Sequence, residues 1–162
     1  MKHIFESFLW GILTALGALI AEIILLSLLC PENIGSNSYC VSFAYLVLVP
    51  AAAEELFKIS IIFKRLKTLA SGKILVLNSA FLGAGFGLTE LLLIFQKYSL
   101  RSEGFYGGIA GIFALHIVTA AAAGLYLANK NQPGFKIFFK AFLIAFTIHA
   151  LYNTCILNIS GL

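Results

Sequence analysis

The stretch Val41-SFAYLVLVPAAAEELFKISII-Phe63 is apolar and long enough to cross a bilayer, yet Glu54 and Glu55 stand side by side within it. A membrane span needs about 20 apolar residues. A carboxylate at that depth is costly, and by default it marks a functional site. Two adjacent ones, with Lys58 following, are harder still to explain as packing.

The rest of the chain has the same character. Of its 162 residues 60% are hydrophobic and 11% charged, with a mean hydropathy of +0.98. A soluble domain carries roughly a quarter charged residues, so this is expected to be an integral membrane protein, all-α, built as one polytopic domain over 1–162. Five spans are expected, over 5–30, 41–63, 74–95, 107–129 and 137–159. Their joint length leaves no room for a soluble domain. The seven acids are all Glu. The net charge of +4 is not read as a nucleic-acid signal, because the basic residues gather at span ends.

Those basic residues orient the chain. Lys64, Arg65, Lys67 and Lys73 lie in the second connection, Lys130 and Lys136 in the fourth, and none in the first. The positive-inside rule then places the N-terminus in the cytoplasm and the C-terminus outside. The first segment is expected to be a retained helix. Its apolar run exceeds that of a signal peptide and no A-x-A site follows. Cys30 and Cys40 flank the first connection and are read either as a disulfide or as two unpaired small residues. Cys155 is expected to pack within the last span. Pro50 is expected to kink its helix one turn before Glu54.

Further polar groups interrupt the other spans: Glu90, His116, His149 and Asn153. At ~1.5 Å per helical residue, Glu54, Glu55 and His149 lie roughly 13–18 Å from the cytoplasmic end, and His116, Asn153 and Glu90 roughly 20–25 Å. All fall in one layer about the midplane. Lys58 is four residues from Glu54 and can neutralise a carboxylate. His149 and Asn153 project together, Thr119 shares a face with His116, and Phe86 lies one turn before Glu90. Any one of these groups can be structural, as interhelical glue or a snorkelling lysine. The combination is read as a site. Glu22, alone in the first span, is read as structural or unexplained. Small residues accompany the polar ones: Ala51–Ala53, then Gly83, Gly85 and Gly87, then Gly107 and Gly111. They permit close helix approach. Gly83-Ala-Gly-Phe-Gly87 is not a phosphate loop, since it lies inside an apolar helix with no strand before it.

In order, Glu54-Glu-Leu-Phe-Lys58, Phe86-Gly-Leu-Thr-Glu90, Leu115-His-Ile-Val-Thr-Ala120 and His149-Ala-Leu-Tyr-Asn153 resemble the PrsW family of membrane-embedded proteases. The wider superfamily holds the CAAX prenyl endopeptidases and bacteriocin-processing enzymes. There the basic residue is an Arg one position later than Lys58, and a His stands where this chain has Glu90. Both departures point toward PrsW. The resemblance implies an intramembrane endopeptidase of a prokaryotic plasma membrane. Its implied substrate is a membrane-anchored protein such as an anti-sigma factor, with the lipid bilayer as surroundings and no nucleic-acid partner. Oligomeric state stays open.

Two chemistries fit these residues. In one, Glu54 or Glu55 is the general base, His116 and His149 orient water or protonate the leaving nitrogen, and Asn153 donates to the oxyanion. In the other, His116, His149 and Glu55 hold Zn²⁺ and a second Glu is the base. The implied cofactor is therefore none or zinc. Outside catalysis, the same groups would suit a small proton or cation conductor, or a peptide-binding pseudoprotease acting as an immunity or scaffold protein. Loss of substrate cleavage in Glu55→Gln, against loss of proton flux, separates these classes.

Overall fold

The computed structural model describes residues 2–29, 47–97, 105–130 and 134–160. The element order is α1 (Lys2–Leu29), α2 (Val49–Ile61), a π-helical turn (Ile62–Leu66), α3 (Lys67–Leu69), α4 (Gly72–Lys97), α5 (Phe105–Ala128) and α6 (Phe135–Ser160). No strand occurs among the described residues.

Four of these helices are long and apolar enough to cross a membrane: those containing His3–Leu25, Gly72–Gln96, Ala110–Ala128 and Phe135–Ile156. The fifth helical run carries Glu54 and Glu55, and the beginning of its expected span lies outside the described residues. The result is a polytopic helical bundle of an integral membrane protein. Helices are the natural choice, because each satisfies its own backbone where no water can. Hydroxyls inside the spans do the same: Ser79 donates to the Leu75 carbonyl and Thr89 to that of Gly85. Large apolar side chains such as Phe5, Leu13, Ile20, Leu92 and Leu151 are exposed, facing what would be lipid.

The core lies to one side of the polar layer. Ile59, Ile62, Leu66, Leu75, Leu82, Ala120, Ala123, Leu127, Ala141 and Ala145 bury one another across five elements. Ala15, Ala18 and Phe86 form a second cluster, with Phe57 against it. Glycines set the helix spacing. A side-chain carbon on Gly83 of α4 would collide with the carbonyl of His116 on α5. One on Gly11 of α1 would meet the Gly85 Cα at 3.0 Å. These contacts bring α4 against both neighbours at backbone distance, which small residues allow in lipid.

Several expectations are corrected. The second helix does not end at Phe63; it continues through Lys64, Arg65 and Lys67 to Leu69. No breaker precedes Ser71-Gly72, and Gly72 makes the turn with φ +56°. The basic residues thus sit in the last turns, where they complement the helix dipole. Lys67 reaches across to the carbonyls of Leu127 at 2.7 Å and Lys130 at 2.6 Å, satisfying the end of α5. Pro50 is the second residue of α2 and follows directly on π-helical Val47 and Leu48. Cys155 is exposed on α6 rather than packed. Cys30 and Cys40 lie outside the described residues.

Candidate active site

Helical spacing delivers the polar groups to one place. On α2 the buried face runs Ala51, Glu54, Glu55, Lys58, Ile59, at intervals of three and four. The same rule carries the buried face of α6 from Ala141 through Ala145 to His149. His116, Thr119, Ala120 and Ala123 do so on α5, and Leu82, Phe86 and Glu90 on α4. Apolar packing on one turn therefore fixes the direction of the polar group on the next.

Lys58 stands at the centre and is fully buried. Its ammonium donates to Glu55 Oε1 at 2.6 Å, to His116 Nδ1 at 2.9 Å and to Thr119 Oγ1 at 3.3 Å. It also lies 4.6 Å from the centroid of the Phe86 ring, a cation–π distance. The expected i,i+4 partner of Lys58 was Glu54, but the pair that forms is Glu55, three residues away.

The two histidines are each tied to a glutamate on another helix. His149 Nδ1 is 2.7 Å from Glu55 Oε1. His116 Nε2 is bonded to Glu90 Oε2. An ammonium only donates, so His116 Nδ1 accepts from Lys58 and Nε2 carries the proton toward Glu90. His149 carries its proton on Nδ1, toward Glu55, which leaves Nε2 with a lone pair. These tautomers follow from the hydrogen-bond network. The two imidazoles meet edge to face, 5.4 Å between centroids.

Glu54 completes the group. Its Oε2 lies 3.8 Å from His116 Nδ1 and 3.9 Å from His149 Nε2. That oxygen is buried with no hydrogen-bond partner among the described residues, as is Glu55 Oε2. Acceptors therefore face acceptors across a short gap, an arrangement that a cation between them would stabilise. Charge points the same way. Glu55 pairs with Lys58 while Glu54 and Glu90 both lie against His116, so among the described residues three glutamates gather around one ammonium, and half-buried Glu22 on α1 lies within electrostatic reach of Glu54 and Glu90.

The donor set fits a metal. Glu54, His116 and His149 each offer one ligand atom, all within 4.8 Å of one another. Tetrahedral zinc with bonds of ~2.0–2.1 Å holds its donors about 3.4 Å apart, so side-chain adjustments of about half an ångström to an ångström and a half would close the set. Both histidines already have the outer carboxylate that metal-bound imidazoles usually keep: Glu90 for His116, Glu55 for His149. Sequence reasoning grouped Glu55 with the histidines as a ligand; the geometry puts Glu54 in that place and Glu55 behind His149.

Of the other expected residues, Thr119 and Phe86 line the site through Lys58 and His116, with Phe86 and His116 ring centroids 4.7 Å apart. Asn153 is half-buried one turn beyond His149, and its side chain forms no hydrogen bond with the described residues. Two features were not foreseen. The Tyr152 hydroxyl occupies the space that a side chain on Gly111 would need. Asn78, on α4, is fully buried with neither amide atom partnered among the described residues. Its polarity inside a span was the available signal.

A family model described as PrsW family intramembrane metalloprotease matches residues 1–162. No curated protein and no solved structure matches the chain.

Proposed function

The chain belongs to the PrsW family of intramembrane metalloproteases, and from that premise we propose that Glu54, His116 and His149 hold a divalent cation for hydrolysis of a peptide bond in a membrane-anchored protein. The observation that carries this reading is the convergence of their three ligand atoms within 4.8 Å around an unpartnered, buried carboxylate oxygen. When bound, zinc would supply Lewis acidity and make a water nucleophilic near neutral pH.

The chain's own residues do the rest. Glu90 and Glu55 fix the orientation of the two imidazoles. Glu55 has a second oxygen, buried and unpartnered among the described residues, to take a proton from water. Asn153, four residues beyond His149, offers an amide N–H to the developing oxyanion. Glu55, Lys58, His116 and His149 are buried among the helices, which strengthens the interactions between them. The substrate segment enters from the lipid between helices, and the N-terminus lies on the cytoplasmic side.

A metal-free glutamate mechanism is the second reading. The contact of Lys58 with His116 Nδ1 favours it, because it fills the lone pair without a metal. Zinc content decides between them. Purified protein is stripped with a chelator, dialysed and titrated with Zn²⁺. The metal reading expects one equivalent bound, and none in Glu54→Ala or His149→Ala. Folded wild-type protein that cleaves substrate yet binds no zinc would establish the glutamate mechanism instead.

A further inference from the structure

His116 Nδ1 has a single in-plane lone pair, and in this structure Lys58 takes it at 2.9 Å. The same nitrogen is the one 3.8 Å from Glu54 Oε2. The other ring nitrogen of His116 is bonded to Glu90. A cation joining Glu54, His116 and His149 therefore has to use the electron pair that the ammonium occupies. One pair cannot serve both.

We infer that Lys58 is a built-in competitor for the metal, holding the ligand cluster together without the cation and moving off His116 Nδ1 when the cation arrives. This rests on the metal reading above. Three features support the exchange. Among the described residues Lys58 is the one ammonium paired within the cluster that Glu54, Glu55 and Glu90 form with the histidines, so it balances charge that a divalent ion would otherwise balance. It has partners to fall back on: Glu55 Oε1 at 2.6 Å, Thr119 Oγ1 at 3.3 Å and the Phe86 ring. Letting go of His116 leaves it paired with Glu55. Its stem is flexible, and an ammonium has no fixed fork geometry to preserve.

The consequence is that Lys58 lowers the affinity of the site and guards it against loose occupation. A lysine that only packs, or only orients the ligands, predicts the opposite: its removal would weaken metal binding.

The test is a Co²⁺ titration of purified protein in detergent, read by the visible d–d absorption of tetrahedral cobalt. Lys58→Met is compared with wild type, and the double variant Lys58→Met/Glu55→Gln with Glu55→Gln. The double variant removes one charge of each sign and protects against misfolding from an unpaired Glu55. Glu55→Gln alone is the reference for the double variant, because loss of the carboxylate behind His149 by itself lowers metal affinity. Against its own reference, each protein lacking Lys58 is expected to bind Co²⁺ roughly ten- to a hundredfold more tightly, the span of one hydrogen bond to a charged group. Equal or weaker binding in the double variant than in Glu55→Gln overturns the inference, even if His149→Ala abolishes binding and so leaves the metal reading standing. Absence of the cobalt spectrum in every protein, Lys58→Met included, sinks the metal reading and this inference with it.

Discussion

His149 Nδ1 on α6 and Glu55 Oε1 on α2 stand 2.7 Å apart, and that same oxygen receives Lys58 at 2.6 Å. One carboxylate oxygen therefore ties α6 to α2 and, through Lys58 and His116, to α5. Removing it should do more than remove one contact. Glu55→Ala leaves the buried Lys58 charge without its carboxylate and is expected to destabilise the protein by about 3–5 kcal/mol. Glu55→Gln keeps an acceptor and should fold, while losing cleavage by about a hundredfold or more, the range for a general base. Unfolding in detergent and cleavage of a co-expressed single-span substrate check the two arms.

The imidazoles are expected in opposite tautomers. His116 should carry its proton on Nε2 and His149 on Nδ1, as their glutamate partners require. Nitrogen-15 spectra of metal-free protein labelled at histidine, assigned through His116→Gln and His149→Gln, report this directly. Identical tautomers at the two positions would contradict the network.

Glu90 acts through His116. Glu90→Ala frees the ring, and loss of such an outer carboxylate typically lowers metal affinity by about 10–100-fold. Glu90→Gln retains an oxygen to accept from Nε2, so its zinc affinity should fall between wild type and Glu90→Ala. Zinc titration of the three proteins measures the order.

Gly83 positions the backbone that carries His116. Alanine there would collide with the His116 carbonyl, a backbone atom that cannot rotate away. Gly83→Ala should push α4 from α5 and lose both cleavage and thermal stability. Gly72→Ala is the contrast. Nothing lies within 4 Å of the added carbon, but φ is +56°. The cost should be about 1–2 kcal/mol of backbone strain with cleavage kept, as thermal unfolding and substrate processing would show.

The sequence made the spans and the polar layer legible for one reason: in an apolar chain each ionisable residue is conspicuous. Glu54, Glu55, Glu90, His116 and His149 were singled out that way, and the structure brings them together. Finer choices were not legible. Lys58 can reach three or four residues back on a helix, and only the arrival of His149 and His116 from other helices decides for Glu55. The same tertiary choice sends Glu54, not Glu55, to face both histidines. Lys64, Arg65 and Lys67 read as a loop because charge suggests an interface, yet no residue there breaks a helix. Cys155 read as packing because cysteine is usually buried; in a membrane helix an apolar side chain can as well face lipid.

One experiment asks whether groups from four helices act together in hydrolysis. The most direct measurement is cleavage of a purified single-span substrate by purified protein in liposomes, comparing wild type with folded Glu54→Ala, His116→Ala and His149→Ala. Wild type should cleave, all three variants and chelated wild type should not, and Zn²⁺ should restore cleavage by wild type. Undiminished cleavage by any of the three folded variants would contradict that joint action.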